Sequence, residues 1–63
     1  MQLKISENLK NLRKKNGFTQ EYLAERLNVS TAAVCKWESG ASNPDITLLI
    51  PISRIFDISV DEL

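Results

Sequence analysis

Few side chains in this sequence could carry out chemistry. None of the 63 residues is histidine and Cys35 is the single cysteine, while eight basic and eight acidic side chains give a formal net charge of zero. Without histidine the chain cannot assemble a His–Cys metal site or a histidine-based catalytic triad, and one cysteine cannot form an internal disulfide. The residue types therefore predict a chain that is not an enzyme and carries no metal or cofactor, with Cys35 a reduced thiol.

The length of the chain limits its partners further. Residues 1–63 make a single small domain, whose core leaves little room for a small-molecule pocket of roughly 300 Å³. No apolar run approaches the ~20 residues that span a bilayer, and no apolar signal-peptide core follows the N-terminus. We therefore expect a cytoplasmic protein with no membrane partner and no small-molecule site.

The polar side chains with the clearest arrangement lie on one predicted helix between Ser30 and Gly40. Ser30 is a candidate N-cap, and glycine ends the helical pattern. Val34 and Trp37, three residues apart, mark the buried side. The face turned away from them can hydrogen-bond to another molecule, although a merely solvated face is the simpler alternative. Its outward side chains are Thr31, Ala32, Cys35 and Lys36.

Two further helices must position this one. In the first, Ile5, Leu9 and Leu12 recur with helical spacing, and Asn16-Gly17 ends the pattern. In the second, Thr19 is the N-cap candidate, and the apolar residues again lie on one side. Those apolar residues are Leu23, Ala24 and Leu27.

The sequence after Pro44 predicts a fourth helix that begins near Asp45. Pro51 lies within it and is expected to kink or interrupt the helix, because proline lacks a backbone N–H. Ser59 and Glu62 have the spacing of a capping box, so a fifth helix is expected to begin where the sequence stops, as in the N-terminal part of a longer chain. No strand alternation is present, and the predicted fold is all-α with four to five helices. The predicted inner face of the fourth helix is Ile46, Leu49, Ile50, Ser53 and Phe56.

Three residues, 28–30, separate the second predicted helix from the third. Such a short link makes the two helices cross steeply and leaves the outer face of the third protruding. The pattern therefore predicts a central helix-turn-helix, locked by Leu23, Ala24, Leu27, Val29, Val34 and Trp37.

In order and spacing, residues 5–63 resemble the phage-repressor type of helix-turn-helix DNA-binding domain, the Cro/CI or Xre-like family. The resemblance implies a compact phage-repressor-like fold and a sequence-specific regulator of transcription that binds double-stranded DNA, a repressor by family habit. The matching stretches are 8–14 (NLKNLRK), 19–27 (TQEYLAERL), 29–30 (VS), 34–40 (VCKWESG), 43–46 (NPDI) and 58–63 (ISVDEL).

The same resemblance implies contacts with DNA. The third helix would lie in the major groove, where Lys36 would bond guanine and Ala32 would touch a thymine methyl. Many relatives carry glutamine at the Ala32 position, and alanine cannot make its hydrogen bonds to a base. We therefore expect fewer polar contacts with bases here. The implied base contacts are Thr31, Ala32, Cys35 and Lys36, and the implied phosphate contacts are Gln20, Ser39, Ser42, Asn43 and Lys14.

Other residues are implied to support the third helix rather than to touch DNA. Arg13 and Glu38 match a family pair that bridges the first helix to the end of the third. The supporting set is Arg13, Glu38, Ala24, Val34 and Trp37.

The fourth predicted helix also suggests an interface. Leu48 and Ile55 are predicted to project away from its inner face, with nothing in 63 residues to cover them. They are candidates for a homodimer contact or for packing on a following segment, and dimers of this family bind two half-sites about one helical turn apart. The rival hypothesis is a protein-interaction module or antitoxin-like domain that uses this apolar region for a partner.

The neutral total charge hides an asymmetry along the chain. Residues 1–20 hold five basic and one acidic side chain, whereas residues 37–63 hold one basic and five acidic. The basic third adjoins Gln20. We therefore expect few phosphate contacts per monomer and an affinity that depends only shallowly on salt.

Overall fold

The computed structural model describes residues 5–63, so Lys4, one of the basic residues of the first third, lies outside the described part. These residues form α1 (Ile5–Lys15), α2 (Gln20–Leu27), α3 (Thr31–Ser39) and α4 (Leu49–Phe56). Two 3₁₀ turns accompany them, Ile46–Leu48 before α4 and Val60–Glu62 after it. The described residues contain no strand, and the predicted all-α architecture is confirmed.

Short-range signals end and begin the first three helices as predicted. Gly17 adopts a φ of +72° after α1, and Asn28 a φ of +58° after α2, conformations that glycine and asparagine tolerate best. Thr19 Oγ1 accepts a hydrogen bond from the Tyr22 N–H at 2.9 Å, and Ser30 Oγ accepts one from the Ala33 N–H at 3.1 Å. Both hydroxyls satisfy N–H groups that have no acceptor within their helix.

A single core holds the helices together. α3 packs against both α1 and α2, so the first two helices form the support on which the third rests. Phe18, in the turn after α1, stacks on Phe56 at the end of α4, with ring centroids 6.0 Å apart. The buried core cluster consists of Leu9, Leu23, Ala24, Leu27, Val34, Trp37, Ile52, Phe56 and Leu63.

The prediction for the fourth helix is wrong in its start and in part of its face. α4 begins at Leu49, after the 3₁₀ turn that Asp45 caps through its Oδ1 at 3.0 Å from the Thr47 nitrogen. A 3₁₀ turn has 3.0 residues per turn rather than 3.6, so α-helical spacing counted from Asp45 assigns the wrong faces. Ile46 and Ile50 are 78% and 55% exposed, whereas Ile52, absent from the predicted set, is 1% exposed.

Pro51 does not interrupt α4. Pro51 is the third residue of α4, within the first turn, where backbone N–H groups lack an acceptor inside the helix. The missing N–H therefore costs the α-helix nothing, and α4 continues from Leu49 to Phe56. It ends at Asp57, whose φ of +54° no sequence signal had indicated.

Leu48 and Ile55 also differ from expectation. Both are half-buried and pack against the core cluster, so the prediction that nothing covers them is wrong. The exposed large apolar side chains near α4 are instead Ile46 and Ile50.

The predicted capping box at the end of the chain is present. The Ser59 N–H and hydroxyl donate to Glu62 Oε1 at 3.3 Å and 3.1 Å. The helical structure that it begins is the short turn Val60–Glu62, and the Leu63 side chain that follows is buried in the core.

Candidate nucleic-acid interface

The outer face of α3 carries the side chains that sequence reasoning placed there. Val34 and Trp37 are buried, whereas the four outward residues are all exposed. The helix therefore separates an apolar supporting side from a free side that a ligand can approach. The residues on that free side are Thr31, Ala32, Cys35 and Lys36.

A bidentate ion pair fixes α3 to α1. Arg13 Nε and Nη2 donate to Glu38 Oε2 and Oε1 at 2.6 Å and 2.9 Å, and Arg13 Nη1 donates to the Phe18 carbonyl at 2.9 Å. The side chains are only 13% and 4% exposed, respectively. Charge-assisted pairs of this geometry are among the stronger hydrogen bonds in proteins. The ion pair thus fixes the C-terminal end of α3 against α1.

The pKa values of this pair reflect its environment. Burial by itself raises the pKa of the Glu38 carboxyl, but hydrogen bonds from Arg13 and Gln20 and the charges of Arg13 and Lys10 outweigh it and hold the pKa below its usual value. The hydrogen bond to Glu38 raises the pKa of Arg13, against a smaller opposing effect of burial. Both groups are therefore charged at neutral pH.

Gln20 joins the same network, which sequence reasoning did not predict. It is the first residue of α2, half-buried, and its Nε2 donates to Glu38 Oε1 at 3.2 Å. The two residues lie 18 positions apart, and no local pattern connects them. An amide nitrogen carries two hydrogens, so this contact also orients a second donor.

Several predicted site residues meet in a cleft between α1 and α3. The cleft has a volume of about 290 Å³ and is open to solvent. Lys10, which is not among the contacts that the sequence implied, also lines it. The residues that line this α1–α3 cleft are Lys10, Arg13, Lys14, Gln20, Cys35, Glu38 and Ser39.

The remaining predicted site residues lie outside that cleft. Thr31, Ala32 and Lys36 occupy the exposed face of α3 that begins next to it. Ser42 and Asn43 are exposed in the segment between α3 and the first 3₁₀ turn. The Ser39 hydroxyl, inside the cleft, donates to the Lys36 carbonyl at 3.1 Å, which anchors it at the end of α3.

Residues 5–63 offer no group of three or more histidine, cysteine or carboxylate side chains placed to hold a metal ion. Within the same residues, no helix has the length and apolar character needed to cross a membrane.

A helix-turn-helix family model, HTH_3, matches residues 9–63. The chain is 44% identical over 61 residues to the HTH-type transcriptional activator BcrR of Enterococcus faecalis, covering 97% of this chain and 30% of that protein. The chain thus spans less than a third of that relative.

Two solved structures are similar as well. A transcriptional regulator from Listeria innocua superposes with a TM-score of 0.94 at 41% identity, over 100% of this chain and 59% of the other. The P22 c2 repressor, solved in complex with a synthetic operator, superposes with a TM-score of 0.84 at 30% identity, over 97% and 91%. These relatives are regulators of transcription, and none is an enzyme by name. The chain therefore belongs to the helix-turn-helix family, of the Cro/CI-type, Xre-like kind that its sequence motifs resemble.

Proposed function

We propose that this chain binds double-stranded DNA in a sequence-specific manner and regulates transcription, as a repressor. The observation that carries the proposal is the exposed face of α3, which bears Lys36 and is held by the Arg13–Glu38 pair against α1. Helix-turn-helix proteins place such a helix in the major groove of DNA. The name of the P22 c2 repressor and its complex with an operator support the same function here.

The proposed roles divide the polar residues between bases and backbone. Lys36 bonds guanine O6 or N7, Thr31 bonds a base or phosphate, and Ala32 contacts a thymine methyl. Cys35 lies among these residues at the groove. The backbone contacts are Gln20, Lys14, Ser39, Ser42 and Asn43. We propose the cytoplasm as its location, because a regulator of this kind acts where the DNA is.

The rival function, a protein-interaction module, depended on an uncovered apolar surface at Leu48 and Ile55. Both side chains pack against the core, so the surface on which that hypothesis relied is not formed by them. No other observation favours it over binding of DNA.

We further propose that the DNA-bound form is a homodimer whose contact is centred on Ile46 and Ile50. They are the two ends of the five-residue segment Ile46–Ile50, which contains no charged residue. A second copy of an uncharged apolar surface can approach without like-charge repulsion. Two copies related by a twofold axis would read a palindromic operator.

The experiment that tests the proposed function is selection from a random duplex library, repeated at several stated salt concentrations. We expect a palindromic motif to be enriched, because a twofold dimer reads two equal half-sites. Against the selected duplex, Lys36→Ala should weaken binding by about 1–3 kcal/mol, the size of one good base contact. Arg54→Ala removes the same charge from α4 and serves as the control.

Absence of enrichment at every salt concentration would refute the proposed function. Equal affinity of the Lys36→Ala variant and the wild type would instead refute the assignment of Lys36 to a base. Circular dichroism confirms in each case that the variant is folded.

A further inference from the structure

We propose that the α1–α3 cleft seats the DNA backbone and that Lys10 and Lys14 together supply its positive charge. This inference rests on the proposed function and adds to it Lys10, a residue without an earlier role. Arg13 keeps its supporting role and is not one of the proposed contacts.

The cleft carries a net positive charge. Four of its lining residues are ionised, three basic and one acidic. Arg13 is the basic residue beside the acid, and all three of its nitrogens, Nε, Nη1 and Nη2, donate to Glu38 or to the Phe18 carbonyl. The charges of Arg13 and Glu38 cancel locally. The net positive charge that an approaching phosphate meets therefore belongs to Lys10 and Lys14.

The Lys10 side chain points toward the cleft. Lys10 and Lys14 are four residues apart on α1, so their side chains lie on one face of that helix. Both line the cleft that faces α3. The charge of Lys10 also contributes to lowering the pKa of Glu38, which lies on α3. The ammonium group is therefore close to the cleft and not on the far side of α1.

Gln20 supplies a neutral donor in the cleft. Its amide has one hydrogen on Glu38 and a second with which to donate to another acceptor, whereas the hydrogen of the Ser39 hydroxyl is already donated to the Lys36 carbonyl. Two lysines four apart on a helix repel each other, and an anion between them relieves that repulsion. The cleft thus joins the positive charge of two lysines with one amide donor that suits a phosphate oxygen.

The cleft adjoins the exposed face of α3. Cys35 both lines the cleft and lies on the exposed face of α3, directly before Lys36 in the chain. A phosphate in the cleft would therefore lie next to the residues proposed to contact bases. This continuity favours the backbone of a bound duplex over a free anion as the occupant.

The test is the salt dependence of affinity for the selected duplex. The slope of log affinity against log salt concentration decreases by about 0.9 for each phosphate charge that a protein ceases to neutralise. We expect Lys10→Ala and Lys14→Ala each to reduce the slope by about that amount, and Lys10→Arg to retain it. Both lysines are exposed, so neither substitution should disturb the fold.

Lys15→Ala is the matched control. Lys15 lies on the same helix and carries the same charge, but it lines a separate depression together with Asn8, Asn11, Leu12 and Glu62. We expect its slope to equal that of the wild type. The control thus removes any effect of total charge.

The possible outcomes separate this inference from the proposed function. A wild type that binds its duplex specifically, with an unchanged slope in both Lys10→Ala and Lys14→Ala, overturns the inference alone. Equal loss of slope in Lys15→Ala also overturns it, because the effect would then follow total charge. A wild type that binds no duplex overturns the proposed function, and the cleft assignment with it.

Discussion

At the scale of single residues, Glu38 has the largest number of dependent partners at the site. Its carboxylate accepts from Arg13 Nε and Nη2 and from Gln20 Nε2 while only 4% of the side chain is exposed. A buried charge is tolerated only when it is paired and hydrogen-bonded. Glu38 therefore holds one residue from α1 and one from α2 against α3.

We expect the Glu38 contribution to stability to disappear in acid. The folded-state pKa of Glu38 lies below the ordinary value of 4.5 expected in the unfolded chain. The ionised form thus stabilises the fold above that pH, and the contribution is lost as the pH falls through the folded-state pKa. Glu38→Gln should lower the free energy of unfolding at pH 7 by about 1–3 kcal/mol, as expected for charged hydrogen bonds.

Denaturant unfolding of wild type and Glu38→Gln between neutral and strongly acidic pH measures this effect. The difference between the two proteins should shrink in acid. Asp45→Asn provides a comparison, because hydrogen bonds from Thr47 lower the pKa of Asp45 at a fully exposed site. A difference for Glu38→Gln that stays constant with pH would contradict the explanation.

At the scale of elements, the stability of α3 depends on the residues that cap its two ends. It has nine residues, of which only Val34 and Trp37 are buried, and isolated helices of this length are unstable in water. Ser30 caps its N-terminus, and Gly40 ends it at a φ of +83°. The conformation of the proposed reading helix is therefore maintained by residues that need not contact a base.

Ser30→Ala tests this dependence. The variant should lose about 0.5–2 kcal/mol of stability, because the Ala33 N–H loses the Ser30 hydroxyl as an acceptor and keeps only the Ser30 carbonyl. Thermal or denaturant unfolding measures the loss. Ser42→Ala, at an exposed position outside the helices, should leave stability unchanged. A Ser30→Ala variant as stable as the wild type would show that the cap contributes nothing.

Local signals in the sequence were sufficient for α1, α2 and α3. Thr19 and Ser30 act as caps and Gly17 and Asn28 as left-handed termini, and each of these features depends only on neighbours within a few residues. The start of α4 was mispredicted because nothing in the sequence distinguishes a 3₁₀ turn at Ile46 from the first turn of an α-helix.

The site was predictable to a different extent. The exposed face of α3 followed from the spacing of Val34 and Trp37. The contact of Gln20 with Glu38 and the place of Lys10 beside the cleft depend on how α1 and α2 pack on α3. Helical periodicity fixes which residues share a face but not which element that face meets.

At the scale of the whole molecule, the described residues share one core, and the apolar side chains left outside it near α4 are Ile46 and Ile50. The core extends as far as Leu63, which is buried. Because the two isoleucines contribute little to the core, they can be changed without loss of the fold.

The proposed dimer can therefore be tested by an Ile46→Ser/Ile50→Ser double variant. We expect it to remain monomeric where the wild type associates, and to bind a palindromic duplex more weakly and without cooperativity. Sedimentation equilibrium and DNA titration measure the two effects. Val60→Ser, at another exposed apolar position, should behave as wild type. A wild type that binds the duplex only as a monomer would contradict the proposal.

The exposed Cys35 has a practical consequence. It is the single cysteine of the sequence, and it lies on the rim shared by the α1–α3 cleft and the free face of α3. A thiol-specific fluorophore or spin label would attach at this one position in the native chain. The protein thus carries its own attachment point for a spectroscopic reporter, and a ligand bound in the cleft or on the free face of α3 would change the surroundings of that reporter.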